Sequence, residues 1–310
     1  MNPSWINARN GFDGVWPAML TPLNADLSID HARFAAHAKA LLAAGCGGVT
    51  AFGTTGEGPS FSMDERREAI DQLIARGVPA ERIVASTSCA ALPETLALTR
   101  HAIERGLHGC LMLPPFFFKG VSDEGVIACY TQVLDALPPS GWRMYLYHIP
   151  QVAAVGLSHA VIEALLKRYP QVIVGIKDSA CDRAHGVALA QAFMPSITVY
   201  VGYEPDLPEL GRRGSTGAIS GLANFLPRTV HRMVKAPDGP QASADAQRID
   251  RVLQLLQPHS LMPALKGIMA DISGHAGWLR TRAPLVALQP QALNALHQAW
   301  QALGIDTTRA

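Results

Sequence analysis

Short apolar runs alternate with longer segments of helical period over most of this 310-residue chain. Many of the apolar runs end at a glycine, threonine, proline or charged residue, which is typical of short buried strands bounded by turns. Eight such strands are predicted, at residues 14–20, 46–52, 82–87, 107–113, 142–147, 172–177, 197–202 and 215–220.

The segments between the runs carry helix start and stop signals. Ser62 and Glu65 form a capping box before a helix that is predicted to end at Gly77. Further N-cap residues are Asp30, Ser122 and Ser158. Because sequential parallel strands need right-handed helical crossovers, eight such units predict an α/β fold, a (β/α)8 TIM barrel. The alternative is a doubly wound open sheet, but MLTPLN stands where its glycine-rich dinucleotide fingerprint would follow the first strand.

The strand signal stops near residue 226. Beyond it the pattern predicts helices at 243–257, 259–273 and 290–303. We therefore expect two parts, a barrel over residues 1–225 and a C-terminal helical extension over residues 226–310.

Composition narrows the class of partner. Hydrophobic residues make up 48% of the chain, charged residues 16%, and the formal net charge is +1. No basic run is interleaved with aromatic residues, so we expect neither a nucleic acid nor a membrane as partner, and favour small molecules. The five cysteines are widely spread, and residues 1–14 lack a signal-peptide pattern, which predicts a cytoplasmic location.

Lys177 ends the apolar run VIVGIK, where a lysine is hard to explain structurally. Burial of an unpaired ammonium is costly and favours the neutral, nucleophilic amine, which can condense with a ketone to an imine. A lysine that reaches past the strand end into solvent is the structural alternative.

Two other strand ends carry polar groups toward the same barrel mouth. GTTGE at 53–57 exposes backbone N–H groups and hydroxyls suited to a carboxylate, although such a sequence is also common in a plain turn. Tyr147 follows the fifth run and can be either a proton carrier or a core tyrosine. Alternation places Ile173, Gly175 and Lys177 on one face, with Gly175 leaving room for a ligand and Asp178 pointing away.

Four ordered motifs carry a family resemblance. GTTGE at 53–57, YHIP at 147–150, GIKDS at 175–179 and the glycine of VGYE at 202 resemble the dihydrodipicolinate synthase/N-acetylneuraminate lyase family. The likeness runs from GVWPAMLTPL to RAPLVAL at 282–288. It implies a barrel with a C-terminal helical extension, usually a homotetramer, which forms a lysine Schiff base with pyruvate or another 2-oxo acid and needs no metal and no cofactor.

The resemblance also implies roles for single residues. Lys177 would form the imine, and Tyr147 would relay protons, with the Thr55 hydroxyl in contact with Tyr147. Thr54 and Thr55 would bind the keto-acid carboxylate. Gly202 and Ile219 would line the pyruvate pocket.

Two departures separate this chain from the synthases of that family. In those enzymes the sequence at the end of the fifth strand resembles YNxPxRT, and its arginine binds a substrate carboxylate. In this chain Val152 occupies the position of that arginine. The loop after the fourth strand commonly supplies a tyrosine to the neighbouring subunit, whereas this chain has Phe116, Phe117 and Phe118. Loss of a bidentate arginine disfavours a dicarboxylic semialdehyde as acceptor, and therefore disfavours 4-hydroxy-tetrahydrodipicolinate synthase activity.

The expected reaction is therefore making or cleaving a carbon–carbon bond between pyruvate and an aldehyde. YHIP is closer to the sialic-acid-lyase branch, which favours a 2-oxo-3-deoxy sugar acid or a sialic-acid-like substrate. Glu204 and Asp206 could accept sugar hydroxyls, or could simply cap the following helix. The apolar Phe116–Phe118 also allows an aromatic or short aliphatic aldehyde.

Three rival functions stay open. A dehydratase would use the same imine on a deoxy-oxo sugar acid, and a noncatalytic keto-acid-binding homologue would keep the pocket without turnover. A metal-dependent aldolase would need clustered ligands, but the 11 histidines are scattered and His148 has no partner at ligand spacing in the sequence.

Overall fold

The computed structural model describes residues 9–194 and 196–307, so residues 1–8, on which the interpretation of the N-terminus largely depends, lie outside it. Eight short strands occur where eight were predicted. They are β1 (Gly14–Val15), β2 (Val49–Ala51), β3 (Ile83–Ser86), β4 (Gly109–Met112), β5 (Met144–His148), β6 (Ile173–Asp178), β7 (Thr198–Val201) and β8 (Gly217–Ala218).

Helices separate the strands and form the C-terminal part. The first nine are α1 (His31–Ala43), α2 (Met63–Ala75), α3 (Leu92–Glu104), α4 (Asp123–Leu134), α5 (Pro150–Ala153), α6 (His159–Arg168), α7 (Arg183–Phe193), α8 (Leu207–Arg212) and α9 (Pro227–Lys235). The last three are α10 (Ala242–Leu256), α11 (Leu261–Ser273) and α12 (Pro290–Ala302). No helix in residues 9–194 and 196–307 is both long and apolar enough to cross a membrane.

The strands form one parallel sheet in the order β1-β8-β7-β6-β5-β4-β3-β2. A parallel bridge between Ala18 and Thr50 joins the segment after β1 to β2, which closes the sheet. The predicted (β/α)8 barrel is thus confirmed. Several strands are shorter than predicted, because only part of each apolar run is hydrogen-bonded to a neighbouring strand. Strands β1 and β8, for example, pair over two residues each.

The predicted helix signals are confirmed. The Ser62 hydroxyl accepts from the Glu65 N–H while the Glu65 carboxylate accepts from the Ser62 N–H, which completes the capping box. Asp30, Ser122 and Ser158 also accept backbone N–H groups at the helices they precede.

Aromatic rings fill the lower part of the barrel. Phe12, just before β1, stacks on Tyr200 with ring centroids 4.0 Å apart and on Trp16 at 4.5 Å. Tyr145 contacts the same group, and its hydroxyl lies 2.7 Å from His108 Nε2. Because β1 enters from this end, the rings close the N-terminal end of the barrel and leave the C-terminal end for a site.

One predicted side-chain direction is wrong. Alternation placed Ile173 on the same face as Gly175 and Lys177, but the register pairs Met144 with Ile173 and Tyr145 with Gly175. Val174 is therefore the extra residue of a β-bulge. Val174 packs inside the barrel, whereas Ile173 joins the outer core between strands and helices.

The C-terminal helices rest on the barrel. Helix α9 contacts β1 and β8, α10 packs on α9, and α11 lies between α10 and α12. An ion pair ties α11 to the turn after β2: the Lys266 ammonium contacts the Glu57 carboxylate, and both side chains are fully buried. The Lys266 amine also donates to the carbonyl of Arg280, 2.7 Å away. This anchor fixes α11 above the barrel mouth.

Two buried, neutral histidines are expected to make the stability of the fold sensitive to acid. Burial lowers the pKa of His37 from 6.5 to about 4, although its hydrogen bond to Asn224 opposes the shift, and burial lowers the pKa of His108 to about 3. Between these values and 6.5 the unfolded chain binds more protons than the folded one, so the free energy of unfolding falls as the pH drops from 6.5 toward 4.

We expect denaturant midpoints to decrease over that pH range, and His37→Gln, which keeps a donor to Asn224 without titrating, to reduce the pH dependence. A wild-type midpoint that stays constant from pH 6.5 to 4 would contradict this explanation.

Candidate active site

Strands β5 and β6 bring Tyr147 and Lys177 together. The two residues are register partners, and the Lys177 amine lies 3.1 Å from the Tyr147 hydroxyl and 4.2 Å from the centre of its ring. Lys177 is 4% exposed and Tyr147 1% exposed. The alternative that Lys177 extends into solvent does not hold, because its amine faces the interior of the barrel mouth.

The turn after β2 approaches the same pair. Thr54 Oγ1 lies 3.3 Å from the Tyr147 hydroxyl, so the contact expected from Thr55 is made by Thr54. Successive side chains of the turn diverge, and Thr55 instead faces Gly221, whose added Cβ would lie 3.4 Å from Thr55 Oγ1. Both threonines line one cavity of about 400 Å³ together with Tyr147 and Lys177.

The backbone of this turn is held in an uncommon conformation. Phe52 and Glu57, on either side of the two threonines, have φ angles of 60° and 57°, in the left-handed region. The N–H groups of Thr54 and Thr55 have no intramolecular acceptor in the part of the chain that the structure describes. Two unpaired donors beside a buried amine can bind a carboxylate.

The other residues singled out from the sequence line the same cavity. Gly202 and Ile219 do so at the ends of β7 and β8, and Ile219 is fully buried. A Cβ on Gly202 would lie 2.9 Å from Lys177 Cε, so a side chain there would displace the lysine. Gly175 does not make room for a ligand, because the rings of Tyr145 and Tyr200 fill the space beside it.

Glu204 lines the cavity but is already bound internally. Its Oε1 accepts from the Ser220 hydroxyl at 2.6 Å and from the Leu222 N–H at 3.2 Å. Asp206 accepts from Arg183 Nε at 2.9 Å and lies outside the lining of this cavity. Neither carboxylate caps the next helix through its side chain.

The residues that depart from the synthase pattern lie around the mouth. Val152 lines the cavity from α5 and is 54% exposed. Phe116 lines a second cavity of about 220 Å³, which shares Thr54 and Val152 with the first. Phe117 and Phe118 are each 70% exposed, and their rings meet edge to face at 5.2 Å.

Two features were not found from the sequence. Ser179 lies two residues after Lys177, lines the cavity, and its buried hydroxyl has no partner among the described residues. The period of two along β6 could have identified it. The Glu57–Lys266 ion pair could not be predicted from the sequence, because no local pattern links the turn after β2 to a helix that is distant in the chain.

His148, Asp178 and His185 correct the expectation that His148 has no partners. Their ligand atoms lie within 4.8 Å of one another, on the outer side of β5 and β6. However, His148 Nδ1 accepts the Leu157 N–H at 3.0 Å, so the neutral ring carries its proton on Nε2. A metal on Nε2 would require the ring proton to move to Nδ1. The Nδ1–H and the Leu157 N–H would then be two donors that face each other, which opposes coordination.

The pKa values in this cluster agree with a neutral His148 ring. Burial, aided by His185, lowers the pKa of His148 to about 4, whereas the hydrogen bond to Asp178 raises the pKa of His185. The cluster therefore holds a neutral His148 against a His185–Asp178 pair behind the strands that carry Tyr147 and Lys177.

Tyr147→Phe is expected to lower kcat by about 10²–10⁴-fold, because it removes the only hydroxyl that contacts both the Lys177 amine and Thr54 in the described site. On the expected imine mechanism, covalent capture of pyruvate by Lys177 should persist but become slower, because the same hydroxyl would assist loss of water from the carbinolamine. The matched control is Tyr145→Phe. Tyr145 lies two residues earlier on β5, deeper in the barrel, and its hydroxyl contacts His108 instead. Equal kcat values for Tyr147→Phe and the wild type would exclude the proton relay.

Three comparisons with known proteins bear on this site. The chain matches the model of the Dihydrodipicolinate synthetase family over residues 11–303. A relative from Chloroflexus aurantiacus, named an uncharacterized DapA-like lyase, is 33% identical over 95% of this chain and 98% of its own length.

Two solved structures are similar over nearly their whole length. Dihydrodipicolinate synthase from Agrobacterium tumefaciens str. C58 has a TM-score of 0.87 at 33% identity, with 94% of this chain and 99% of that chain covered. YagE from E. coli K12, solved in complex with pyruvate, has a TM-score of 0.85 at 25% identity and coverages of 95% and 99%.

Proposed function

The chain belongs to the dihydrodipicolinate synthetase family, a family of lyases, and we propose that Lys177 forms a Schiff base with pyruvate or another 2-oxo acid. The protein then makes or cleaves a carbon–carbon bond to an aldehyde. The observation that carries this proposal is the buried Lys177 amine, 3.1 Å from the Tyr147 hydroxyl and in one cavity with Thr54 and Thr55. Its YagE neighbour was solved with pyruvate, which supports the same first substrate here.

The proposed steps use groups of this chain alone. The Lys177 amine attacks C2 of pyruvate through its nitrogen lone pair, and loss of water from the carbinolamine gives the imine. The N–H groups and hydroxyls of Thr54 and Thr55 hold the carboxylate, so that C2 lies near the amine. A C3 proton then passes to the Tyr147 phenolate, which has given its own proton to the departing water, and this transfer gives the enamine. The protonated imine serves as the electron sink, so the proposed chemistry needs neither a metal nor a cofactor.

Proton transfer is assigned to Tyr147. Its hydroxyl contacts both the amine and Thr54 Oγ1, so it can protonate the departing carbinolamine oxygen, take up the C3 proton and then protonate the aldehyde oxygen. The Thr54 hydroxyl can donate a hydrogen bond to the phenolate between these steps. The resemblance implied a tyrosine from a neighbouring subunit at the end of this relay. Phe116–Phe118 supply no hydroxyl, and in our proposal the relay ends at the threonine.

The sugar-acid and sialic-acid-like substrates were suggested by the YHIP motif, with Glu204 and Asp206 as the residues that could accept sugar hydroxyls. Glu204 Oε1 is held by Ser220 and Leu222, and Asp206 by Arg183, so both carboxylates have internal partners. The proposal therefore keeps the 2-oxo acid, while recognition of sugar hydroxyls has less support. Synthase activity is disfavoured because Lys177, the proposed nucleophile, is the only basic side chain among the described residues of the cavity lining.

A homotetramer and a cytoplasmic location complete the proposal. The exposed Phe117 and Phe118 rings are suited to an interface between subunits, and the five free cysteines suit a reducing compartment. A single species of monomer mass in analytical ultracentrifugation would contradict the tetramer.

Exchange of the pyruvate methyl protons tests this function without knowledge of the aldehyde. In D₂O the enamine should return a deuteron to C3, so the methyl signal of pyruvate should decay in proportion to enzyme, and a chelator should not alter the rate. A decay abolished by chelation would favour the metal-dependent rival. A noncatalytic keto-acid-binding homologue predicts binding of pyruvate with no exchange beyond the buffer rate.

A further inference from the structure

The cavity above Lys177 has a polar floor and an apolar wall. Lys177, Tyr147, Thr54 and Thr55 lie at the floor, where the strands and the β2 turn end. The wall above them is formed by the side chains of Ile149, Val152, Leu253, Leu261, Met262 and Leu265. A 2-oxo acid on the floor would leave this wall to contact whatever reacts with it.

Two of the polar side chains that line the cavity are bonded to the protein. Glu204 Oε1 is bonded to Ser220 and Leu222, and Gln151 donates to the carbonyl of Ser179. Lys177 is the only basic side chain in the described lining. A carboxylate or phosphate on the aldehyde would therefore find no basic partner beyond the reacting lysine and would share the cavity with the Glu204 carboxylate, and a polyhydroxyl chain would exchange water for the six apolar side chains of the wall, which is unfavourable.

The apolar wall is held in place by the anchor of the C-terminal extension. Leu261, Met262 and Leu265 lie on α11, and the next residue, Lys266, forms the fully buried pair with Glu57. Because Glu57 belongs to the same turn as Thr54 and Thr55, one ion pair fixes the wall relative to the carboxylate-binding floor.

The mouth itself exposes apolar surface. Val152 is 54% and Leu261 48% exposed, although both are large apolar side chains beside the cavity. Covering such surface with an apolar group is favourable in proportion to the area removed from water.

We infer that the aldehyde partner is uncharged and carries an apolar group, an aromatic ring or a branched alkyl chain, rather than a sugar or a dicarboxylic semialdehyde. This inference rests on the proposed function. In the reaction the enamine C3 forms a bond to the aldehyde carbon, the carbonyl electron pair moves to oxygen, and that oxygen takes a proton from Tyr147. Water then hydrolyses the imine and releases the lysine.

Ser179 completes the assignment. Its buried hydroxyl lines the cavity beside Gly202 and has no partner within the described chain, so it is available to donate to the aldehyde oxygen. One hydroxyl donor and an apolar wall match an aldehyde whose only polar group is the reacting carbonyl.

Condensation with pyruvate tests the inference on aldehydes matched in size. We expect kcat/KM for 4-isopropylbenzaldehyde and isovaleraldehyde to exceed that for 4-carboxybenzaldehyde and glyceraldehyde, respectively, by at least about 10-fold. Val152→Arg should shift the ratio toward 4-carboxybenzaldehyde by about 10-fold or more, because it adds a cation at the wall, and the control Val152→Met should not.

Exchange of the pyruvate methyl protons, measured on the same samples, separates the two proposals. Two outcomes would overturn the inference and leave the proposed function intact. In both, the enzyme exchanges the pyruvate protons, and it either uses glyceraldehyde or 4-carboxybenzaldehyde as well as the apolar aldehydes or better, or does not condense the apolar aldehydes at all. No exchange at all overturns the proposed function.

Discussion

Lys177→Arg is expected to lower kcat/KM by at least about 10⁴-fold, because the reaction would lose its nucleophile. Arginine keeps a basic head group that can still donate to the Tyr147 hydroxyl, but a guanidinium does not form the imine. The measurement is the rate of pyruvate methyl exchange, together with condensation of the best aldehyde acceptor. The matched control is Lys167→Arg on the exposed side of α6, which should keep the wild-type rate.

A Lys177→Arg protein that is folded and exchanges pyruvate protons within about 10-fold of the wild-type rate would exclude covalent catalysis by this residue. Folding is checked by the denaturation midpoint. The cavity around Lys177 has room beyond the amine, so we expect the larger head group to be accommodated.

Lys266→Met is expected to lower the free energy of unfolding by about 3–5 kcal/mol, because it leaves the Glu57 carboxylate buried without its cation. Both side chains are fully buried. Burial lowers the pKa of Lys266, while the neighbouring Glu57 raises it, which shows two opposing effects on the same amine. Loss of the bond to the Arg280 carbonyl would add to the cost.

The double substitution Glu57→Gln with Lys266→Met separates loss of the pair from exposure of an unpaired charge. It should recover much of the stability, because replacing both members of a buried pair is far less costly than removing one. Lys39→Met on the exposed side of α1 is the surface control. A single Lys266→Met protein within about 1 kcal/mol of the wild type would show that Glu57 is not held by this pair.

The barrel and the central pair of the site could be predicted from sequence because both follow from periodicity. Strand alternation put Tyr147 and Lys177 at neighbouring strand ends, and the register partners agree. The same rule failed at Ile173, since the extra residue of a β-bulge reverses the alternation, and no local signal in VIVG marks that bulge.

The exact contacts of the β2 turn could not be predicted for a related reason. A turn with left-handed Phe52 and Glu57 has no fixed side-chain period, so Thr54 rather than Thr55 reaches Tyr147. Gly175 was read as space for a ligand, yet its missing side chain is needed by the tyrosine rings of neighbouring strands.

Contacts between segments that are distant in the chain could also not be predicted from the sequence. Lys266 on α11 meets Glu57 only because the C-terminal extension folds back over the barrel mouth. His185 on α7 meets His148 and Asp178 for the same kind of reason. Each is a packing outcome of the closed fold rather than a property of its own segment.

The most direct test of the central claim is borohydride reduction in the presence of pyruvate, followed by peptide mapping of the modified residue. We predict a reduced pyruvate adduct on the peptide that contains Lys177, formed only when pyruvate and borohydride are both present, with irreversible loss of activity. An unmodified Lys177 in protein that demonstrably binds pyruvate, or an adduct on a different lysine, would contradict the account.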